Sequence, residues 1–294
     1  MRLEGQIYRP PSEAQSLLLQ LTVGCSHNRC AFCAMYSDKR YRVRPVEEVL
    51  EDVEAAASAL PHTRRIFLCD GDALSAGFAP FYEVCDKINA CFPELGRISA
   101  YVNARDILNL SQEERIALRA LKFSLGYLGL ESGSTAVLER IRKGATPEDM
   151  TAMARAAREA NIDLSVIVLL GAGGQDLSAS HVAGTIKTVN AMQPRFLSFL
   201  TAMIVPQTPL MTWTQKGEFQ PLTDRAILRE ARDMIAGLDL RRTVFRMNHV
   251  SNLMPLGGRL PKEKAKMRAQ LDAMIPHALE RVTCVITEAE GLRL

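Results

Sequence analysis

The stretch LTVGCSHNRCAFCAMY, residues 21–36, sets Cys25, Cys30 and Cys33 within nine residues of a 294-residue chain whose other four cysteines are scattered. Their spacing is C-x4-C-x2-C. Three thiolates are one short of a closed tetrahedral zinc site and one short of a fully protein-ligated iron–sulfur cube, so the trio leaves a coordination position for something else. On spacing alone, a zinc site completed by His27 or by a distant residue satisfies the same pattern. What flanks the trio decides how it is read.

Directly upstream lies SLLLQLTV (16–23), an apolar run of strand length, and downstream Pro45 opens PVEEVLEDVEAAASAL. There a proline at the first turn, acidic residues behind it and apolar residues on a helical period predict a helix. The alternation continues. RRIFLCDGD (64–72) reads as a strand, APFYEVCDKINACF (79–92) as a helix and RISAYVNA (97–104) as a strand. Serine-capped SQEERIALRAL (111–121) is a helix, FSLGYLGL (123–130) a strand, and a helix follows from about Ser134. LSVIVLLG (164–171) and RFLSFLTAMI (195–204) supply the fifth and sixth strands. Strands alternating with helices are the signature of a parallel sheet built from βαβ units. Beyond residue 204 the Pro- and Gly-punctuated VPQTPLMTWTQKGEFQPLTD leads into helical stretches at 225–238 and 261–281. The predicted fold class is α/β, a partial (β/α)6 TIM-like barrel over residues 1–210. A helical C-terminal extension, 211–294, is expected to cover the barrel opening. No fixed-period repeat, low-complexity segment or flexible linker demands a second domain.

Composition agrees with one large core: 47% of residues are hydrophobic and 23% charged. The formal charge of +3 lacks the clustered excess of a dedicated nucleic-acid binder. Seven cysteines are an odd number in a chain too long for a disulfide scaffold, and MRLEGQIYRPPSEAQ has no signal-peptide core, so a reducing, cytoplasmic setting is expected. The most apolar run, Val166 to Leu170, falls far short of the ~20 residues a membrane-spanning helix needs.

In barrel folds the functional groups gather at the carboxyl ends of strands. The cysteine trio falls there, as do CDGD after the second strand, NARD after the third, ESGS after the fourth and GAGG after the fifth. Cys25, Cys30 and Cys33 beside the aromatic Phe32, followed by DGD, GLESGS and RKG, resemble the radical S-adenosylmethionine superfamily over roughly residues 16–210. The resemblance implies a [4Fe-4S] cluster held by the three cysteines, with the amino and carboxylate groups of S-adenosyl-L-methionine on the fourth iron. It further implies reductive cleavage of that cofactor to a 5′-deoxyadenosyl radical. One departure is plain. The common spacing is C-x3-C-x2-C, and the extra residue here lengthens the first gap without deleting a ligand.

The same resemblance assigns cofactor contacts. Gly71 and Asp72 stand where the superfamily usually carries a Gly-Gly-Glu-like turn that accepts hydrogen bonds from the methionyl ammonium. Glu131 and Ser132 match positions that contact the ribose or methionyl part, and Lys143 matches a basic residue that pairs with the methionyl carboxylate, with Arg142 as a substitute. Leu170 and Gly171, in LLGAGGQD, match the fifth-strand turn whose backbone lies against adenine. The strand interior VIVLL carries no acidic residue where some relatives place one for the ribose. Simpler readings stand beside these: an acidic turn capping a strand for Asp72, and a solvated helix end for Lys143. G-x-G-G lacks the G-x-G-x-x-G spacing of a dinucleotide fingerprint. Cys69, Cys85, Cys91 and Cys284 show no paired C-x-x-C spacing and read as small buried hydrophobes.

The stretch FRMNHVSNLMPLGGRLPKEK, residues 245–264, gathers Asn248, His249, Ser251 and Asn252 before a Pro-Leu-Gly-Gly turn. It is similar to the NHxSN…PLGG stretch of a radical S-adenosylmethionine group whose chains also begin near YRPPSE and carry GCSHN; no activity follows from that likeness. The loop is expected over the open rim, facing substrate, with His249 as the reactive or orienting group. Asn103 and Arg105 are expected on the opposite wall, Arg105 suiting a carboxylate or phosphate through its planar fork. A polar turn that satisfies its own backbone is the other reading. The resulting expectation is an enzyme acting on a small-molecule substrate and fed by an electron donor such as flavodoxin or ferredoxin. A tRNA-modifying radical enzyme is the first alternative, disfavoured by the lack of a candidate second cluster and of an RNA-binding appendage. A non-catalytic iron–sulfur or zinc protein is the second.

Overall fold

A computed structural model of the chain describes residues 2–286, so residues 287–294 of the expected extension lie outside the described residues. In chain order the elements are β1 (Leu17–Leu19), β2 (Thr22–Val23), β3 (Arg42–Val43), α1 (Val46–Ala59), β4 (Arg65–Leu68), α2 (Phe78–Cys91) and β5 (Arg97–Tyr101). There follow α3 (Ala104–Leu108), α4 (Gln112–Ala120), β6 (Phe123–Glu131), α5 (Thr135–Arg140), α6 (Pro147–Glu159), β7 (Asp163–Leu170) and α7 (Gly174–Met192). The chain continues through β8 (Phe196–Thr201), α8 (Pro209–Gln215), α9 (Asp224–Gly237), β9 (Thr243–Met247), β10 (Leu256–Leu260) and α10 (Lys264–Met274). The eight-stranded sheet runs in the order β1-β4-β5-β6-β7-β8-β9-β10. β1, β4, β5 and β6 pair in parallel, as do β7, β8 and β9, and β10 returns antiparallel beside β9.

Contacts divide the chain into two compact units. The first comprises the chain up to Asn28, Met35–Leu128 and Ala152–Leu164. Its helices are amphipathic in the expected way: α1 buries Val49, Val53 and Ala56, and α2 buries Phe81, Val84, Cys85 and Ile88. The α2 ring of Phe81 meets Phe123 of β6 edge-on, with centroids 5.1 Å apart, and Phe67 meets Tyr101 at 5.2 Å. Full burial of such a ring contributes about 1.5–3 kcal/mol. Ser111 caps α4 through a reciprocal capping box with Glu114. The YRPPSE segment also serves this core. Fully buried Glu13 accepts hydrogen bonds from the Tyr127 hydroxyl and the Arg97 guanidinium, both at 2.6 Å.

The expected strand 16–23 is two pieces, because the chain leaves the sheet after Leu19 and β2 pairs antiparallel with β3 instead. At the break, the Gln20 amide donates to the Asp70 carboxylate at 2.8 Å.

The second unit comprises Arg29–Ala34, Gly129–Thr151 and the chain from Ser165 onward. α9 buries Ile227, Leu228, Ala231, Met234 and Ile235 along one face, and α10 buries Met267 and Leu271. Phe199 of β8 and Phe245 of β9 stack edge-on at 4.9 Å. The C-terminal part is helical as expected, and it also adds β9 and β10 to the sheet, which the sequence reading did not anticipate. Among the described residues no helix is long and apolar enough to cross a membrane.

Candidate functional site

In the first unit the turn after β4 is built around the first cysteine. Asp70, at φ +67, accepts from the Gly24 N–H at 2.7 Å and from Lys39 Nζ at 3.1 Å, and Gly71 N–H donates to the Gly24 carbonyl at 2.9 Å. Asp72 then accepts from the Ser26 N–H at 3.0 Å and from the Ser26 hydroxyl. The DGD turn therefore grips the residues on both sides of Cys25. Gly71 is required by contact: a Cβ there would stand 2.5 Å from the Cβ of Cys25 and 2.8 Å from its Cα.

Asp72 is fully buried and its second oxygen also accepts from Asn103 Nδ2 at 2.7 Å. Asn103 caps the short helix α3 in a box with Asp106, which explains why a helix begins where the strand was expected to run on to residue 104. Arg105 donates to the Ser26 hydroxyl, stands 3.8 Å from Asp72 and 3.5 Å from Asp106, and leaves half of its side chain exposed. Burial raises the Asp72 carboxyl above the usual range, against the donors from Ser26, Arg105 and Asn103 that favour its charge. Burial, with the neighbouring Asp72 charge, pushes Asp106 up to about 6. Of the sequence-predicted residues, this unit thus brings together Cys25, Gly71, Asp72, Asn103 and Arg105.

In the second unit Ala31 is threaded between two elements: its N–H donates to the Ile141 carbonyl at 2.8 Å, and its carbonyl accepts from the Leu210 N–H at 2.9 Å. On either side, Cys30 and Cys33 are partly buried and share a turn through Cys33 N–H to Cys30 carbonyl, 3.2 Å. Phe32 packs on Val137, Leu138, Ile141, Leu169, Ala172 and Ala202, an apolar anchor for the loop that carries the two thiols. Among the described residues no group of three or more His, Cys, Asp and Glu side chains stands at metal-holding spacing.

β6 ends on Glu131, a non-glycine residue at φ +61, and Lys143 Nζ donates to its Oε1 at 2.9 Å. Both side chains are nearly buried, and Gly129 makes the room, since a Cβ there would stand 2.9 Å from Lys143 Nζ. Lys143 follows the last turn of α5 before Gly144, whose φ of +71 is the left-handed conformation that ends helices. The guanidinium of Arg142, the substitute, lies 5.2 Å over the Trp213 ring.

Ser132 is fully buried, 2.8 Å from Nδ1 of His181, and accepts from the Ser134 N–H at 3.0 Å. Leu170 is buried at the end of β7, and Gly171 turns at φ +79 with its N–H donating to Glu230. His249 is half-buried, its ring pKa lowered by burial, and its Nδ1 accepts from the Ser251 N–H at 3.2 Å. Ser251 and Asn252 fasten the loop to β8: Thr201 N–H donates to Ser251 Oγ at 3.2 Å, Thr201 Oγ1 donates to Asn252 Oδ1 at 3.2 Å, and Asn252 Nδ2 donates to the Phe199 carbonyl at 2.9 Å. Beside this loop is a cavity of about 210 Å³ lined by Thr201, Met203, Asp224, Val250, Ser251 and Asn252 among others.

Sequence reasoning missed Ser26, Asp70, His181 and Glu230. Ser26 carried no local signal, and Asp70 stood inside the DGD motif without a role of its own. Glu230 did carry one, since it interrupts the apolar face of α9 between Ile227 and Met234, whereas His181 shares its buried face with the polar Thr185 and Thr188 as well as Val189 and Met192 and so gave a weaker signal.

The family model of the Radical SAM superfamily matches residues 19–182. Among solved structures, the radical S-adenosylmethionine methyltransferase TsrM from Kitasatospora setae, with cobalamin and [4Fe-4S] cluster bound, is 19% identical at a TM-score of 0.56, over 66% of this chain and 38% of that one. Coproporphyrinogen III oxidase (HemN) from Escherichia coli, a radical SAM enzyme, is 17% identical at 0.55, over 75% and 51%. Methylornithine synthase (PylB) is 15% identical at 0.52, over 88% and 81%. The chain therefore corresponds to well under half of TsrM and about half of HemN. At these identities the likeness is one of fold, the partial TIM-like barrel. No curated protein matches the sequence.

Proposed function

The chain belongs to the radical SAM superfamily, and from that premise we propose that it is a radical enzyme holding one [4Fe-4S] cluster through Cys25, Cys30 and Cys33 and acting on a small-molecule substrate. The observation that carries the proposal is the three-cysteine spacing inside the matched residues. Three partly buried thiols are a soft donor set suited to iron–sulfur ligation, and the side-chain-free Gly71 lets the β4 turn lie directly on Cys25. When bound there, the cluster would supply the electron for reductive cleavage of S-adenosyl-L-methionine, and the 5′-deoxyadenosyl group released would take a hydrogen atom from substrate.

The chain's own residues position and shield. Because both Asp72 oxygens face protein donors, the methionyl ammonium is assigned to backbone carbonyls of the DGD turn. Lys143, paired with Glu131, is the cation assigned to the methionyl carboxylate, with Leu170 and Gly171 against adenine and Phe32 anchoring the cysteine loop. Ser132, buried against His181, supports this wall from behind. The segment after β8 covers the barrel opening and His249 faces substrate, where a half-buried imidazole can orient a polar group or move a proton. Arg105 is the assigned anchor for a substrate carboxylate or phosphate, with Asn103 beside it. A flavodoxin or ferredoxin in the cytoplasm is the proposed electron source.

Anaerobic reconstitution with iron and sulfide, followed by reduction in the presence of S-adenosyl-L-methionine, tests the proposal. The expected product is 5′-deoxyadenosine, lost with cluster iron in each of Cys25→Ala, Cys30→Ala and Cys33→Ala. Bound metal without cofactor cleavage would establish a non-catalytic metal protein instead.

A further inference from the structure

α9 carries a carboxylate that the reaction does not use. Glu230 is 2% exposed, on the apolar face of the helix with Ile227, Ala231 and Met234. A carboxylate that far from water persists only where donors meet it. Two do: the Gly171 N–H donates to Oε2 at 2.5 Å, and the Ser178 hydroxyl of α7 donates to Oε1 at 2.7 Å. The same helix touches the turn a second time, since a Cβ on Gly171 would stand 2.7 Å from Ile227 Cδ1.

The contact extends to the end of β6 through His181 of α7, which is fully buried. Its Nε2 lies 3.0 Å from the Leu169 carbonyl and 3.8 Å from Glu230 Oε2, and its Nδ1 lies 2.8 Å from Ser132 Oγ. A carbonyl can only accept, so Nε2 carries the proton and Nδ1 accepts from the Ser132 hydroxyl. One buried carboxylate and one buried imidazole thus stand behind the turn at Gly171 and the strand end at Ser132.

We infer that Glu230 is a positioning residue for cofactor binding: its carboxylate holds the Gly171 turn in the shape that receives S-adenosyl-L-methionine. The inference rests on the cofactor assignment proposed above for Leu170 and Gly171. It ties an element outside the region matched by the family model to the cofactor wall, so the C-terminal part of the chain acts on binding without touching the ligand.

Ionisation is the lever. Burial pushes the Glu230 carboxyl up to about 7, while burial holds His181 down at about 4 and hence neutral across this range. Among the described residues His181 is the only ionisable group within ion-pair distance of Glu230. From α10, Asp272 is paired with Arg232 at 3.6 Å, and His277, in the turn that follows, is exposed. From the end of β7 only the Gly171 backbone meets the carboxylate. Loss of a proton adds charge to the acceptor of the Gly171 N–H, so the turn tightens as pH rises.

The test uses the full chain in two states. In the reconstituted protein, S-adenosyl-L-methionine dissociation is measured from pH 6 to 8; in the cluster-free protein, amide exchange of Leu170–Ala172 is followed over the same range and corrected for intrinsic rates. Wild type is expected to bind more tightly and protect Gly171 better as pH rises, whereas Glu230→Gln binds about tenfold more weakly at pH 8 with a flat profile. Ser178→Ala, which spares the Gly171 bond but removes a donor that favours the Glu230 charge, is expected to keep a pH-dependent profile displaced to higher pH. Identical affinity, profile and exchange in Glu230→Gln and wild type overturn the inference, as does flat Gly171 protection in wild type should the variant not fold. Gly171→Ala separates the two levels: unchanged affinity there rejects the cofactor assignment and the inference with it, while weakened affinity with no effect of Glu230→Gln rejects the inference alone.

Discussion

Ser26 is fastened to Asp72: its N–H donates to Oδ1 at 3.0 Å and its hydroxyl to Oδ2, so the residue after Cys25 hangs from a carboxylate that solvent does not reach. Asp72→Asn puts an amide donor against some of those donors, at a cost of about 1–3 kcal/mol. Gly71→Ala drives a methyl into the Cys25 backbone, which has no flexible end to yield, and costs about as much by overpacking. Both variants are expected to retain less iron and sulfide per chain after reconstitution and desalting. Full iron in both, with only cofactor affinity lowered, would return Asp72 to the role of an ammonium acceptor.

Lys143 and Glu131 are each other's partner in a nearly dry setting, with side-chain exposures of 11% and 8%. Removing only the cation strands a charge, so Lys143→Met is expected to lower stability by about 3 kcal/mol. The double variant Lys143→Met, Glu131→Gln should regain most of that loss. Urea denaturation of the four forms measures the coupling, and additive losses would show that the pair is not an energetic unit.

The buried pair behind Gly171 has a pH signature with two opposed slopes. His181 is held at about 4 against an ordinary 6.5, so the unfolded chain binds the extra proton and stability falls as pH drops from 6.5 to 4. Glu230 is held at about 7 against an ordinary 4.5, so the unfolded chain ionises first and stability falls as pH rises from 4.5 to 7. Between 4.5 and 6.5 the two nearly cancel in wild type. Relative to wild type, Glu230→Gln is therefore expected to lose stability toward low pH and His181→Gln toward high pH, each by up to about 1.4 kcal/mol per pH unit. Denaturation midpoints at pH 4.5, 5.5 and 6.5 check the signs, and equal shifts at all three pH values would remove the buried pair as their cause.

Among the described residues the His249 ring bonds within its own loop, whereas Asn252 ties that loop to β8 through both ends of its amide. Asn252→Ala is accordingly expected to cost about 1–2 kcal/mol of stability. His249→Ala should leave stability, cluster content and cofactor binding near wild type while substrate turnover falls and uncoupled 5′-deoxyadenosine formation persists. A parallel loss of all these quantities would make His249 structural.

Where the local code was strong, the elements were legible: the apolar period of α1, the serine cap of α4 and the long β-rich runs of β6, β7 and β8 all stand within a few residues of their expected limits. β9 and β10 escaped because Gly257 and Gly258 break the period-two signal in LGGRL and because the pairing of β9 with β8 closes over a long separation. The short helix α3 escaped because Asn103 and Asp106 box each other in a stretch otherwise continuous with a strand.

From the order of residues alone came the alternation of strands and helices, the three-thiol spacing and the glycine-bearing turns at strand ends, since each is written within a window of a few to a dozen residues. Tertiary structure alone decided which carboxylate faces what. Asp72 lies 46 residues from Ser26 and Glu230 lies 59 from Gly171, and partners so far apart are chosen by how the strands and helices stack and by the penalty for leaving a buried charge unmet.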